Sequence, residues 1–177
     1  MEIETIKERI VYENAYITIY DDLVRFPDGR EGTYLKSRWK APHGAGVVAI
    51  IAGEVLLVVN YRYQDGGQSI EIPQGFGLPG ATPAEDARRE LREETGLEAM
   101  TLEPLLTIGG GYKTHIFVAR LPDDAMPTLA GQERTEAIVS FERMPIAGIS
   151  LAALAEVGIH DANTIAALLA VRDFIQP

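Results

Sequence analysis

Between Ile10 and about Lys40 the chain reads IVYENAYITIYDDLVRFPDGREGTYLKSRWK. It is rich in Val, Ile, Tyr and Thr and broken by the turn signal Pro27-Asp28-Gly29, which predicts a small antiparallel β unit. Two apolar runs follow, Gly46 to Ile51 and Glu54 to Tyr61, separated by Ala52 and Gly53, the pattern of a buried hairpin. Ser69 to Ile72 predicts a short strand ending at Pro73. Further strands are expected near Leu102 to Ile108, Thr114 to Arg120 and Glu136 to Glu142. Over Asp161 to Phe174 the apolar residues Ile165, Leu168, Leu169, Val171 and Phe174 recur at helical spacing, with Asp161 as N-cap. Strands interleaved with two helices predict an α/β or α+β sandwich.

The other helix announces both of its ends. Thr82 suits the N-cap, Pro83 the first helical position, Glu85 completes a capping box, and Gly96 is the expected terminator. Ala84, Ala87, Leu91 and Thr95 recur at helical spacing and are expected to face the core. Glu90, Glu93 and Glu94 then share a different face. Two readings of that face stand open. It is a solvated surface sustained by Arg88, Arg89 and Arg92 through pairs contributing roughly 0.2–0.5 kcal/mol each, or it is a repelling cluster that a hard divalent cation turns into coordination.

Composition narrows the classes. A chain of 177 residues with 46% hydrophobic content can bury one ordinary core, with room for a small appendage. The formal net charge of -10 excludes a duplex nucleic acid partner, which needs a basic stripe, and leaves a small anionic substrate open. With no cysteine there are no disulfides, thiolate zinc sites or cysteine nucleophiles. No long apolar run or charged-then-apolar leader is present, so a soluble cytoplasmic protein without membrane attachment is expected.

What precedes the charged helix sharpens the choice. EIPQGFGLPGATPAEDARRELREETGL runs from a strand through a glycine-rich turn into that helix, and it resembles the Nudix box, G-x5-E-x7-REU-x-EE-x-GU, with U a bulky apolar residue. Gly75 matches the first glycine, Arg89-Glu90-Leu91 the central triplet, Glu93-Glu94 the carboxylate pair and Gly96-Leu97 the end. One position departs, since the first glutamate of the pattern falls where this chain has Ala81. The N-terminal strand unit, VNYRYQDGGQSIEIPQG, the ERTEAI stretch and GIHDANTIAALL extend the resemblance to the ADP-ribose and nucleotide-sugar pyrophosphatase branch.

That resemblance implies a Nudix-type α/β/α sandwich with a mixed sheet over residues 42–177, and a dimerising antiparallel unit over residues 1–41 that makes a homodimer. It implies a magnesium site, manganese being an alternative, built from Glu90, Glu93, Glu94 and the backbone carbonyl of Gln74, with Arg89 orienting the carboxylates from behind. Arg62 is implied to contact the substrate diphosphate, its other reading being a solvent-facing cap at a strand end. The base is expected at Glu93, Glu133 or Glu136, the last two also readable as parts of a surface turn. The implied reaction is hydrolysis of the diphosphate linkage in a nucleoside diphosphate derivative, ADP-ribose or a nucleotide sugar. The competing class is a Nudix-fold sensor that holds such a ligand without turnover, suggested by Ala81 and by the Gly109-Gly110-Gly111 loop.

Other features carry less. Trp39, Tyr61, Tyr63 and Tyr112 read as packing before base stacking. His43, His115 and His160 lack metal-ligand spacing and read as ordinary strand or turn residues. The alternating Lys36, Arg38 and Lys40 read as the shield of an exposed strand edge.

Overall fold

The structure, a computed structural model, describes residues 2–130 and 137–175. The chain forms two compact units, Met1–Pro42 and His43–Pro177.

In the first unit one long strand, β3 (Ile17–Arg25), organises three others. Its hairpin partner β4 (Glu31–Trp39) pairs along its whole length, from Ile17 opposite Trp39 to Arg25 opposite Glu31. Two short strands, β1 (Glu4–Lys7) and β2 (Ile10–Glu13), lie in tandem on its other edge. The alternating pattern of β3 buries Thr18, Tyr20, Asp22 and Val24, while β1 and β2 are exposed throughout. The strand β1 is additional to those that the sequence pattern predicts.

The second unit is a mixed seven-stranded sheet between two helical layers. Its path is β11 (Ile138–Pro145), β6 (Glu54–Arg62), β5 (Gly44–Ile51), β10 (Thr114–Arg120) and β9 (Glu103–Ile108), with β5 and β10 parallel and the other neighbours antiparallel. The hairpin β5–β6 pairs only near its turn, from Ala49 opposite Leu56 to Ile51 opposite Glu54. Beyond that point the two strands part. Strand β7 (Gly67–Glu71) pairs with β6, and β8 (Gln74–Phe76) pairs with β5, so the segment through Pro73 closes the gap. The Val47 amide donates to the Pro73 carbonyl at 2.9 Å within it.

Strand β5 is buried on both faces, which explains a continuous apolar run in place of an alternating one. Val48 and Ile50 join a core with Leu154 and with Ala167, Leu168 and Val171. Those residues lie on α2 (Leu151–Val157) and α3 (Ala162–Ile175). Val47, Ala49 and Ile51 join the opposite core with Ala87 and Leu91 of α1 (Pro83–Thr95). The layering is therefore the expected α/β/α sandwich, with three α-helices among the described residues in place of two. The additional helix α2 has only seven residues, too few for its periodicity to register. The last strand begins at Ile138 and runs to Pro145, later than the sequence pattern places it.

Candidate active site

Helix α1 starts and stops where its sequence signals put it. The Thr82 side chain accepts from the Glu85 amide, the Glu85 carboxylate accepts from the Thr82 amide at 2.8 Å, and Gly96 ends the helix with φ 71°. Ala87, Leu91 and Thr95 are completely buried, and Ala84 packs partly against the same core.

The carboxylate face is not a solvated surface. Glu90 and Glu94 are each only 3% exposed, and Glu93 lies at the partly covered edge. Burying carboxylates this deeply is costly unless they are paired, hydrogen-bonded or bound to a cation. Arg89 supplies part of the compensation. Its Nη1 donates to Glu93 Oε2 and its Nη2 to Glu90 Oε1, both at 2.7 Å. Nη2 also reaches the Phe76 carbonyl at 2.7 Å and Asp86 Oδ1 at 3.1 Å. Burial disfavours the charged guanidinium, but the charges of Glu90, Glu93 and Asp86 outweigh it and hold the Arg89 pKa above its ordinary value. Arg89 thus contacts Asp86, Glu90 and Glu93 together.

The turn before the helix is fitted to these carboxylates. The Gln74 amide donates to Glu94 Oε2 at 3.2 Å, which sets the Gln74 main chain against that side chain. A Cβ added at Gly75 would collide with Glu90 Oε1 and lie 2.6 Å from Oε2. Only glycine lets Glu90 come this close to the backbone.

A second network grips the same turn through its side chain. Arg62, at the end of β6, donates from Nε and Nη2 to the two oxygens of Glu71 at 2.8 and 2.5 Å. Gln74 Nε2 donates to Glu71 and to Asp161, and its Oε1 accepts from Asn163. Asp161 caps α3 as expected, accepting from the Thr164 amide at 2.7 Å. The completely buried Thr164 hydroxyl accepts in turn from the Ile72 amide. Burial opposes ionisation of Glu71, yet the bonds from Arg62 outweigh it and hold its carboxyl below the usual range.

Residues 40–168 match the family model described as NUDIX domain. The chain belongs to this family. Residues 3–34 match a second model, the nucleoside diphosphate sugar hydrolase N-terminal domain. Among curated relatives, the ADP-ribose pyrophosphatase of Mycobacterium tuberculosis (strain ATCC 25618 / H37Rv) is 34% identical over 112 residues, 60% of this chain and 52% of that protein. The ADP-ribose pyrophosphatase of Bacillus subtilis (strain 168) is 30% identical over 128 residues, 67% of this chain and 66% of that protein. The aligned stretches span about half to two thirds of the length of these relatives. A solved structure described as an ADP compounds hydrolase shares the fold, with a TM-score of 0.80, 23% identity, and coverage of 99% of this chain and 95% of that one.

Nudix proteins generally use a divalent metal, and the donor set here suits one. Glu90 and Glu94 bring carboxylate oxygens beside the Gln74–Gly75 turn, the donor chemistry that a hard cation takes. Among the described residues no group of three or more histidine, cysteine, aspartate or glutamate side chains is arranged to hold a metal ion.

The other expectations divide. Glu133 and Glu136 lie outside the described residues. Arg62 is at its expected strand end, but two of its nitrogens are committed to Glu71. From the edge strand β4, Lys36 bonds Glu8 and Asp22, as a structural shield does. His43 is more than an ordinary strand residue: it is 8% exposed and its Nε2 lies 2.9 Å from Asp86 Oδ2. Its ring meets that of His115 edge-on at 5.9 Å. Burial, then the neighbouring His43 and Lys113, push the His115 pKa down. Tyr112 packs edge-on against Phe76, and burial together with the charges of Asp86 and Glu90 pushes its phenol up to about 12. Asp86 also escapes the sequence reading, although its spacing of four to Glu90 and seven to Glu93 puts it on the same helical face.

Proposed function

We propose that this Nudix protein is a magnesium-dependent pyrophosphatase acting on a nucleoside diphosphate derivative, ADP-ribose or a nucleotide sugar. The observation that carries this reading is the buried Glu90–Glu94 pair beside the Gln74–Gly75 turn, oriented by Arg89. The two relatives named as ADP-ribose pyrophosphatases and the match to a nucleoside diphosphate sugar hydrolase N-terminal domain support the substrate class.

In the proposed reaction one water is consumed. Its oxygen bonds to one phosphorus, the bridging oxygen leaves on the other phosphate, and the products are a nucleoside monophosphate and a sugar phosphate. Bound magnesium, with manganese as a substitute, supplies charge neutralisation of the diphosphate and a more acidic water. The residues proposed to hold it are Glu90, Glu93, Glu94 and the carbonyl of Gln74. Arg89 keeps the carboxylates in place, so their geometry is set before substrate arrives. Arg62 presents Nη1 to a phosphoryl oxygen while Glu71 fixes its other two nitrogens. A carboxylate, Glu93, Glu133 or Glu136, takes the proton of the attacking water.

The active unit is proposed to be a homodimer formed through the N-terminal sheet. Ile6, Ile10, Val11, Tyr12, Tyr34 and Leu35 of that sheet are exposed, the kind of apolar surface that a second copy covers. Sedimentation showing a monomer at micromolar concentration would remove this part of the reading.

The test is a screen of the purified chain with magnesium against ADP-ribose, UDP-glucose, GDP-mannose, dinucleoside polyphosphates and NADH. Release of a nucleoside monophosphate that stops on chelation is the expected result. Tight binding without turnover across the panel would instead make the protein a ligand sensor.

A further inference from the structure

We infer that Asp86 is the positioning residue of the carboxylate face, standing in for the glutamate that the Nudix pattern places at position 81 and that this chain lacks. The inference rests on the metal-dependent reading above and deepens it. Position 86 falls in the unspecified stretch of the pattern, so nothing in the family motif calls for a carboxylate there. The side chain at position 81 ends at its Cβ and can hold nothing. Asp86, by contrast, is 1% exposed and engages three separate elements.

Its contacts describe a bracket. Both oxygens lie 3.2 Å from the Leu78 amide, which fastens the loop between β8 and α1 to the helix. Oδ2 lies 2.9 Å from Nε2 of His43, the residue immediately before β5. Against an ionised Asp86 that nitrogen carries the hydrogen and donates. Oδ1 accepts from Arg89 through Nη2 at 3.1 Å and Nε at 3.3 Å. The imidazole itself is seated by Gly77, where a Cβ would lie 2.5 Å from His43 Nε2 and whose amide donates to the His43 carbonyl at 2.7 Å.

The consequence runs through Arg89. A guanidinium is planar, so fixing one edge sets the direction of the others. Asp86 holds the Nε and Nη2 edge; the same Nη2 then also reaches Glu90 Oε1, and Nη1 points at Glu93 Oε2. Without Asp86, the one anchor among the described residues other than the carboxylates being oriented is the Phe76 carbonyl. Outer partners of this kind typically change metal affinity or activity by roughly 10- to 100-fold when removed.

The experiment is Mn2+ titration of the full chain, followed by electron paramagnetic resonance in the absence of substrate, alongside kcat and KM for the best substrate of the screen. Asp86→Asn keeps the shape and removes the charge. It should weaken Mn2+ binding about 10-fold or more and lower kcat by a similar factor, leaving KM within about twofold. Adding Ala81→Glu to that variant should recover most of the loss. A folded Asp86→Asn with unchanged Mn2+ affinity, or no recovery on adding Ala81→Glu, would overturn the inference. If Asp86→Asn does not fold, His43→Asn is read instead: a several-fold loss of Mn2+ affinity supports the bracket and no loss overturns it. Glu94→Gln serves as the control. If that variant binds Mn2+ normally, the metal reading itself fails, whatever position 86 does.

Discussion

Arg62 and Arg89 grip the same turn from two sides, and they keep different company. Arg62 gives both of its bonds to one carboxylate, Glu71, and Gln74 links that ion pair to Asp161 and Asn163. Arg89 donates to three carboxylates, Asp86, Glu90 and Glu93, while the buried Glu94 lies one residue further along the same helix. A balanced pair is architecture. Three carboxylates that share one guanidinium are stabilised by a further positive charge, which is what the proposed metal would bring. The contrast is also spatial: the balanced network holds the Gln74 side chain, and the unbalanced one holds the Phe76 carbonyl and the floor under Gly75.

The strongest way to break the contrast is to disarm the unbalanced side. Glu94→Gln should lower kcat by about 1,000-fold or more with the fold intact, because α1 is capped and packed by other residues. Circular dichroism would check the fold and a magnesium-saturated assay the rate; near-normal turnover would sink the metal assignment. Gly75→Ala should follow closely. Its Cβ has no room beside the Glu90 oxygens, so either the carboxylate or the turn must move. A loss of roughly 100-fold in kcat, with weaker Mg2+ dependence, is expected. Arg89→Lys keeps the charge and loses the planar fork, and a loss of about 10- to 100-fold is expected.

Disarming the balanced side should cost stability first. Arg62→Gln leaves Glu71 buried with the neutral partners Ser69 and Gln74, and about 1–3 kcal/mol of destabilisation is expected, reduced from the fully buried case because Arg62 is 37% exposed. Urea denaturation measures it. The same variant tests the diphosphate contact: a KM raised several-fold with kcat retained supports it, and an unchanged KM leaves Arg62 a strut.

The surroundings of these two arginines also show which parts of the fold and the site are legible in the amino-acid sequence. The helix, its caps, its apolar face and the oxygen-rich face can be read from spacing alone, because all of them are local to residues 82–97. The hairpin and the N-terminal antiparallel unit are legible for the same reason. What escapes depends on pairing across the chain. The contacts of His43 with Asp86, and of Gln74 with Asp161 and Asn163, exist because β5 and β6 part and let β7 and β8 in. No local pattern encodes that parting, and three-residue β8 is too short to show an alternation. Glu71 escapes because a glutamate near a strand end looks solvated until the arginine nine residues earlier is seen folded onto it.

The smallest predicted effect asks whether balance means architecture elsewhere too. In the N-terminal unit Asp22 of β3 is 3% exposed and meets Lys36 of β4 at 2.5 Å, with the Arg9 amide donating at 2.9 Å. The bond from Lys36 leads in holding the Asp22 carboxyl below its usual 3.8, and the same pair, led by the bond to Asp22, holds Lys36 above its usual 10.5. A lowered carboxyl stabilises the fold fully above its unfolded value and loses that contribution as pH falls through the folded one. A raised ammonium does the reverse, contributing below its unfolded value and losing the contribution as pH rises through the folded one. The gap in thermal midpoint between the wild type and Asp22→Asn should therefore be widest between about pH 4 and pH 10 and should close on further acidification. Trp39, the single tryptophan, lies on β4, so its fluorescence reports this sheet. Hydrolysis at pH 7 should be unchanged in Asp22→Asn. A large loss of activity there would show that this balanced pair is more than a strut.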